Sequence, residues 1–164
     1  MKFKYCPLCG KKLIPKYSFD EGNVPYCHHD DIMYFDTPTP CIIVAVIKED
    51  KILLLKQSYI FKNSKVLLSG YVTPGESVEK SVHREVKEEA GIDILDVEYL
   101  GSEYLEEKDI IMLTFMAKYK DGILNKSSEV EWIGWIPLKD AIGEMEEDAI
   151  GKRVVKKVFK SIKK

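Results

Sequence analysis

From residue 41 onward, short apolar runs alternate with polar turns in the way that is typical of β-strands. Residues 41–47 are mostly β-branched and too few for a typical helix, so they predict a buried strand with Cys41 in the core. A polar turn at 48–51 followed by apolar residues 52–55 predicts a hairpin. Further strands are predicted at residues 66–68, 71–72, 92–100, 110–119 and 132–137.

Helical periodicity is clearest between residues 77 and 90. Apolar residues recur at every fourth position from Val78 to Ala90, Ser77 suits an N-cap, and Gly91 suits a C-cap. A short helix is also predicted at 138–145 and an amphipathic one at 150–162. Helices on the faces of a mixed sheet predict an α/β sandwich.

The C-terminal segment is strongly basic. Residues 151–164 carry seven Lys or Arg and no acid, while apolar residues recur at helical spacing on the other side. We interpret this segment as a helix packed on the domain with a solvated basic face, in preference to a lipid- or RNA-binding element.

The first 36 residues differ from the rest in composition. Two prolines at 36–40 prevent a helix and are expected to interrupt any sheet. We therefore divide the chain into a module at 1–36 and a main domain at 37–164. Cys6, Cys9 and Cys27 have the spacing of a zinc ribbon. Asp30 stands where a fourth cysteine would be, preceded by His28 and His29.

Zinc accepts carboxylate oxygen or imidazole nitrogen as well as sulfur, so a site of three cysteines with either an aspartate or a histidine is chemically reasonable. The fourth ligand stays open at this level. The alternative is a degenerate ribbon that has lost its metal and is held by packing. The module is small, which is consistent with a homodimer, but the oligomeric state stays open as well.

Composition limits the class of protein. The 164 residues are 45% hydrophobic and 32% charged, as in ordinary globular proteins. No apolar run approaches the roughly 20 residues of a membrane helix, and the N-terminus lacks an apolar signal core, so we expect a cytoplasmic protein without membrane partners. The net charge of −2 gives no reason to expect nucleic-acid binding.

Three acids of the predicted helix 77–90 share one face. Glu85, Glu88 and Glu89 stand at positions i, i+3 and i+4, where like charges repel by a few tenths of a kcal/mol per pair. A hard divalent cation would turn this repulsion into attraction, and magnesium prefers oxygen ligands together with waters and substrate phosphates. A solvated acidic face is the alternative.

The segment from Gly70 to Ile92 decides between these interpretations. It matches Gly-x5-Glu-x7-Arg-Glu-U-x-Glu-Glu-x-Gly-U, where U is apolar, at every defined position, and thus resembles the 23-residue signature of the Nudix hydrolases. The resemblance implies an α/β/α sandwich with Mg²⁺ or Mn²⁺, which hydrolyses a nucleoside diphosphate linked to another moiety. Catalysis of that reaction needs cations on the phosphate oxygens and a carboxylate to hold or deprotonate water.

The resemblance also implies a role for each residue of the signature. Glu85 and Glu89 correspond to the chief metal ligands and Glu88 to a ligand or general base, while the carbonyl of Gly70 is a further ligand. Arg84 and Glu76 resemble the pair that orients this cluster.

Several members of the family recruit a further carboxylate from a later loop. Glu129 is our candidate for this metal-binding or catalytic residue, because it lies six residues ahead of an aromatic as in related enzymes, and Glu131 is the second choice.

A zinc ribbon ahead of this signature is similar to the arrangement of NADH pyrophosphatases and their relatives. Those that prefer NADH carry Ser-Gln-Pro-Trp shortly after the signature, whereas this chain has Gly-Ser-Glu-Tyr-Leu at 101–105. We therefore rank ADP-ribose or a related ADP-linked compound first as substrate, NAD(H) second and a nucleoside triphosphate third. Tyr71 matches an aromatic that stacks on a base in such relatives, and packing in the core is the alternative for it.

A different class of function is a weakly catalytic nucleotide-binding sensor on a Nudix scaffold. The complete set of glutamates argues against it, because such sensors typically lack one or more of the metal ligands.

Overall fold

The computed structural model describes residues 3–57 and 59–162, and the chain forms two compact units, Met1–Pro38 and Thr39–Lys164. The first unit contains three short antiparallel strands in the order β1-β2-β3: β1 (Ile14–Ser18), β2 (Gly22–Cys27) and β3 (Ile32–Met33). Its small core is built on Cys6, Leu13 and Cys27.

The second unit is organised around a six-stranded mixed sheet. Its strands run in the order β7-β8-β4-β5-β9, with β6 paired to β4. The β4–β8 pair is parallel and the other pairs are antiparallel. The strands are β4 (Thr39–Lys48), β5 (Lys51–Lys56), β6 (Leu68–Tyr71), β7 (Asp93–Leu105), β8 (Ile110–Asp121) and β9 (Trp132–Pro137).

Helices cover both faces of this sheet, so the predicted α/β/α sandwich is confirmed. Successive side chains of a strand point to opposite faces. Ile42, Val44 and Val46 of β4 therefore pack with α1 (Val78–Ala90). The alternate residues Ile43, Ala45 and Ile47 pack with α2 (Ala149–Ile162). No helix in the described part of the chain is long and apolar enough to cross a membrane.

Helix α1 confirms the predicted segment and its caps. The Ser77 hydroxyl accepts a hydrogen bond from the Lys80 N–H, and Gly91 adopts a left-handed conformation with φ 72°. Val82, Val86 and Ala90 are fully buried, which holds the helix on the sheet and directs its other side chains toward the end of β6.

Two local predictions are wrong. Residues 138–145 form a 3₁₀ turn at Leu138–Asp140 followed by further turns, because the N–H groups of Gly143 and Glu144 bond three residues back, to Asp140 and Ala141. Pro40 does not interrupt the sheet but lies within β4. Its carbonyl still accepts a hydrogen bond from the Val72 N–H at 3.1 Å, so only the donor is lost at this early position of the strand.

Candidate active site and metal centres

Arg84 connects most of the polar groups of the signature segment. Its guanidinium donates to both carboxylate oxygens of Glu76, at 2.7 and 3.0 Å, and to the backbone carbonyl of Tyr71 at 2.9 Å. The same group donates to Glu85 at 2.7 Å and to Glu88 at 3.0 Å. A planar guanidinium has five N–H donors in a fixed fork, so it ties the loop after β6 to helix α1.

Glu76 is held from both sides. Thr73 donates to it from its N–H at 2.8 Å and from its hydroxyl at 2.7 Å. Arg84 and then Thr73 hold the pKa of Glu76 well below its usual range, so the carboxyl stays ionised. Glu76 therefore holds Arg84 in place, and it does not line the neighbouring cavity.

The Glu85 carboxyl group packs directly against Gly70 of β6. A Cβ placed on Gly70 would overlap the Glu85 carboxyl group, so any larger residue at this position of β6 would displace that carboxyl group. The Glu85 side chain is 13% exposed, and burial raises its pKa despite the contact with Arg84. Gly70 and Glu85 are thus in direct contact, consistent with a shared role at one site.

Glu89 lies in the last turn of the helix and is partly buried. Its Oε1 accepts a hydrogen bond from Gln57 at 3.3 Å, whereas its Oε2 is buried and has no partner among the described residues. Burial raises the pKa of Glu89 to about 7, with the charges of Glu85 and Glu129 adding to the effect. An unpaired buried carboxylate oxygen is costly in a protein, and either a proton or a bound cation reduces that cost.

Glu88 differs from its two neighbours on the helix. Its side chain is 59% exposed and pairs with Arg84 in an i,i+4 contact. The helical spacing of the three glutamates thus does not reveal their two environments, because Glu85 and Glu89 line a cavity and Glu88 lies outside it.

One cavity of about 610 Å³ brings together the acids that the sequence places far apart. Glu129, from the loop before β9, lines it together with Glu85 and Glu89, whereas Glu131 does not. The remainder of the lining is largely apolar and aromatic. Tyr71 is 56% exposed at the edge of this cavity, so packing in the core is excluded for it.

The donor set fits a hard divalent cation. Carboxylates of Glu85, Glu89 and Glu129 face one cavity, and Oε2 of Glu89 lacks a partner there among residues 3–57 and 59–162. Within those residues the glutamates do not form a group with all ligand atoms within 4.8 Å, as expected for like charges that repel one another. Oxygen donors of this kind suit Mg²⁺ or Mn²⁺.

Gln57, which is only 3% exposed and directly follows β5, is a site residue that the sequence pattern did not predict. It is 32 residues away from Glu89 along the chain. A polar residue after an apolar strand is the only signal it leaves in the sequence, and that signal does not indicate a partner.

The first unit contains the second candidate metal centre. Ligand atoms of Cys6, Cys9, Cys27 and Asp30 all lie within 4.8 Å of one another. Asp30 Oδ2 is 3.0 Å from the Cys6 sulfur and 3.2 Å from the Cys27 sulfur, and the cysteines are free thiols. His29 contacts the other carboxylate oxygen, Asp30 Oδ1, at 3.0 Å.

This arrangement favours Asp30 over either histidine as the fourth ligand. Three sulfurs and one carboxylate oxygen fit tetrahedral zinc. His29 then resembles the outer partner that commonly orients a ligating carboxylate.

The fold and the acidic helix define a Nudix-type domain, and comparison with protein families agrees. The NUDIX domain model matches residues 37–158, so the chain belongs to the NUDIX family. The crystal structure of a NUDIX hydrolase from Nitrosomonas europaea superimposes with a TM-score of 0.76 at 19% identity and covers 96% of this chain and 93% of the other. An ADP-ribose pyrophosphatase from Streptococcus suis gives a TM-score of 0.59 at 24% identity, with coverage of 75% and 92%. At these identities the likeness shows the fold alone.

Sequence comparison finds similarity to NAD-capped RNA hydrolases named NudC. The protein of Pseudomonas syringae pv. tomato is 32% identical over 138 residues, which are 84% of this chain and 49% of that protein. The Escherichia coli K12/DH10B protein is 36% identical over 119 residues, 73% of this chain and 45% of that protein. The chain thus spans about half the length of the curated relatives it matches.

Proposed function

We propose that this protein is a divalent-metal-dependent NUDIX hydrolase that cleaves the pyrophosphate bond of a nucleoside diphosphate linked to another moiety. The observation that carries the proposal is the buried Oε2 of Glu89, which has no partner among the described residues and belongs to a side chain that lines a cavity with Glu85 and Glu129. A cation would stabilise the ionised form of this partly buried acid, and a pyrophosphate also needs a cation, because its negative charge repels an attacking water.

Each residue of the site would have a separate task. Glu85 and Glu89, with the carbonyl of Gly70, would hold Mg²⁺ or Mn²⁺, which lowers the pKa of bound water and neutralises phosphate charge. Arg84 fixes the position of Glu85, and Glu76 fixes Arg84. Glu88, exposed and paired with Arg84, is placed to support this network, and Glu129 is our candidate for the general base.

In the reaction a water oxygen bonds to one phosphorus atom and the bridging P–O bond breaks. The water proton passes to the base, and the departing phosphate takes the bond electrons. ADP-ribose would yield AMP and ribose 5-phosphate. Hydrolysis in ¹⁸O-labelled water, followed by mass spectrometry of both products, shows which phosphorus is attacked.

The substrate ranking stays with ADP-ribose or a related ADP-linked compound first and NAD(H) second. The chain lacks the Ser-Gln-Pro-Trp element at 101–105, which favours the first choice. The names of the NudC relatives add NAD-capped RNA to the compounds that should be tested. The exposed Tyr71 ring at the cavity edge is available to stack on a base, an interaction of about 1–3 kcal/mol.

A hydrolysis screen tests this function. ADP-ribose, NADH, NAD⁺, NAD-capped RNA and nucleoside triphosphates are incubated with Mg²⁺ or Mn²⁺, and the products are separated by chromatography. We expect hydrolysis by the natural protein and by Glu79→Gln, a change at an exposed position of the same helix, and at least a roughly 100-fold loss in Glu89→Gln. A silent panel with retained nucleotide binding would support the sensor alternative instead.

We further propose that the first unit binds one zinc ion through Cys6, Cys9, Cys27 and Asp30. The support is the closeness of the four ligand atoms. The zinc would hold the three short strands together, since the core of this unit is too small to give much stability alone.

A further inference from the structure

The hairpin between β7 and β8 contributes one wall of the cavity, through Leu105, Lys108 and Ile110. This is the segment that follows the position of the missing Ser-Gln-Pro-Trp element. Residues Glu106–Lys108 form a 3₁₀ turn, and Asp109 follows in the left-handed conformation with φ 52°. The turn therefore places a lysine at a cavity whose other charged lining residues are all acidic.

Hydrogen bonds hold this turn in place. The Tyr104 hydroxyl donates to the Asp109 carboxylate at 2.6 Å, and the Asp109 N–H donates to the Glu106 carbonyl at 3.2 Å. The Asp109 carbonyl accepts from the Thr39 N–H at 2.9 Å, which ties the turn to the start of β4. Lys108 thus extends from a well-supported backbone.

Lys108 is the only basic side chain among the described residues that line the cavity. Within residues 3–57 and 59–162, its ammonium group forms no hydrogen bond or ion pair. Strand β4 separates Lys108 from the glutamates. On one side β4 pairs with β6, where Gly70 contacts Glu85. On the other side β4 pairs with β8, and Lys108 lies just before β8 in the chain.

The charges of Glu85 and Lys108 both affect the pKa of the buried Cys41 thiol. Burial and then the charge of Glu85 raise its pKa to about 11, and the charge of Lys108 acts against them. Cys41, Glu85 and Lys108 all line the same cavity.

From this geometry we propose that Lys108 is a specificity-determining residue that binds a phosphate group of the substrate from the side of the cavity opposite the glutamates. The inference rests on the proposed function, since it assumes a nucleotide in this cavity. A phosphate gains a charge-assisted hydrogen bond from an ammonium group that has no competing partner. Much of the remaining lining is apolar, including Cys41, Ile43 and Met112, and suits the uncharged parts of a nucleotide.

The test compares Lys108→Gln with Lys108→Arg and with the control Lys139→Gln. Lys139 is an exposed lysine in the 3₁₀ turn Leu138–Asp140 and does not line the cavity. ADP and adenosine serve as probes, because they share the nucleoside and differ in the diphosphate. Their dissociation constants are measured with Mg²⁺ by calorimetry.

We expect Lys108→Gln to weaken ADP binding roughly tenfold and to leave adenosine binding unchanged, with recovery in Lys108→Arg. With a substrate that is hydrolysed, KM should rise roughly tenfold in Lys108→Gln, and kcat should fall by a smaller factor. Lys139→Gln should have the same KM and kcat as the natural protein. Equal ADP affinity in Lys108→Gln and the natural protein overturns the inference. An equal loss for adenosine also overturns it, since the effect would then not depend on phosphate.

The two proposals fail in different ways. If the natural protein binds ADP in a Lys108-dependent manner but hydrolyses nothing in the panel, the catalytic proposal fails and the phosphate contact stands. If it hydrolyses a substrate and Lys108→Gln does so with unchanged KM, only the contact fails.

Discussion

Gln57 donates a hydrogen bond from Nε2 to Oε1 of Glu89, while the second carboxylate oxygen of Glu89 is buried without a partner among the described residues. The two residues come from the end of β5 and from the last turn of α1, so the contact exists only when the helix packs on the sheet. An outer hydrogen bond of this kind orients a metal ligand.

The first prediction concerns this contact. Gln57→Leu keeps the approximate size of the side chain but removes the donor, so Glu89 should lose its fixed orientation and Mn²⁺ should bind about tenfold more weakly. Free Mn²⁺ measured by electron paramagnetic resonance gives the affinity. Glu79→Gln, exposed on the same helix, should bind Mn²⁺ like the natural protein. Unchanged affinity in Gln57→Leu would show that Gln57 does not position the ligand.

The second prediction uses the contact between Gly70 and Glu85. Gly70→Ala places a methyl group where the Glu85 carboxyl lies, so the carboxyl must move and hydrolysis should fall by about 100-fold or more. Gly143→Ala is the matched control, because a Cβ there meets only the Asp140 carbonyl at 3.4 Å, an ordinary contact. Turnover and circular dichroism are measured on both variants. A folded and fully active Gly70→Ala protein would contradict the proposed site.

The third prediction concerns acid stability. Because Arg84 lowers the pKa of Glu76 in the folded state, this ion pair stabilises the protein fully above the unfolded pKa of about 4.3. The stabilisation decreases as the pH falls from there through the folded pKa. Glu76→Gln should therefore lower the free energy of unfolding at pH 7, with a smaller difference from the natural protein below about pH 4.

Urea unfolding at several pH values measures this difference. Glu107→Gln, exposed in the β7–β8 turn, serves as the control and should follow the natural protein throughout. A deficit in Glu76→Gln that is the same in acid as at neutral pH would exclude the ion pair as its cause.

The fourth prediction concerns zinc. Protein prepared without chelator should contain one zinc per chain by plasma mass spectrometry, Cys9→Ser should lose it, and Asp30→Cys should retain it in a site of four cysteines. Cys41→Ser is the control, since Cys41 belongs to the second unit and should leave the zinc content unchanged. Retention of a full equivalent of zinc in Cys9→Ser would remove this cysteine from the ligand set.

Helix α1 illustrates what local pattern can predict. Its apolar repeat and both caps depend on residues within one or two turns of each other, and all of them are confirmed. The wrong helix at 138–145 shows the limit of the same reasoning. Apolar spacing there was compatible with a helix, but contacts distant in sequence hold this segment, such as the hydrogen bond from the Lys65 N–H to the Glu144 carbonyl.

The acids of the candidate site also show which features local pattern predicts and which depend on tertiary packing. Spacing placed Glu85, Glu88 and Glu89 on one side of a helix, yet only packing determined that Oε2 of Glu89 is buried and that Glu88 is exposed. The choice of Glu129 over Glu131 as a cavity-lining residue likewise follows from the path of the loop before β9.

The amino-acid sequence by itself determined the family signature, the helix that presents the acids and the cysteine pattern, because these depend on residues close together along the chain. Tertiary structure alone decided the hydrogen bond between Gln57 and Glu89, the closeness of Asp30 to the three cysteine sulfurs and the position of Lys108 at the cavity. The physical reason is that burial and charge environment are set by elements that meet only after the sheet and helices have packed.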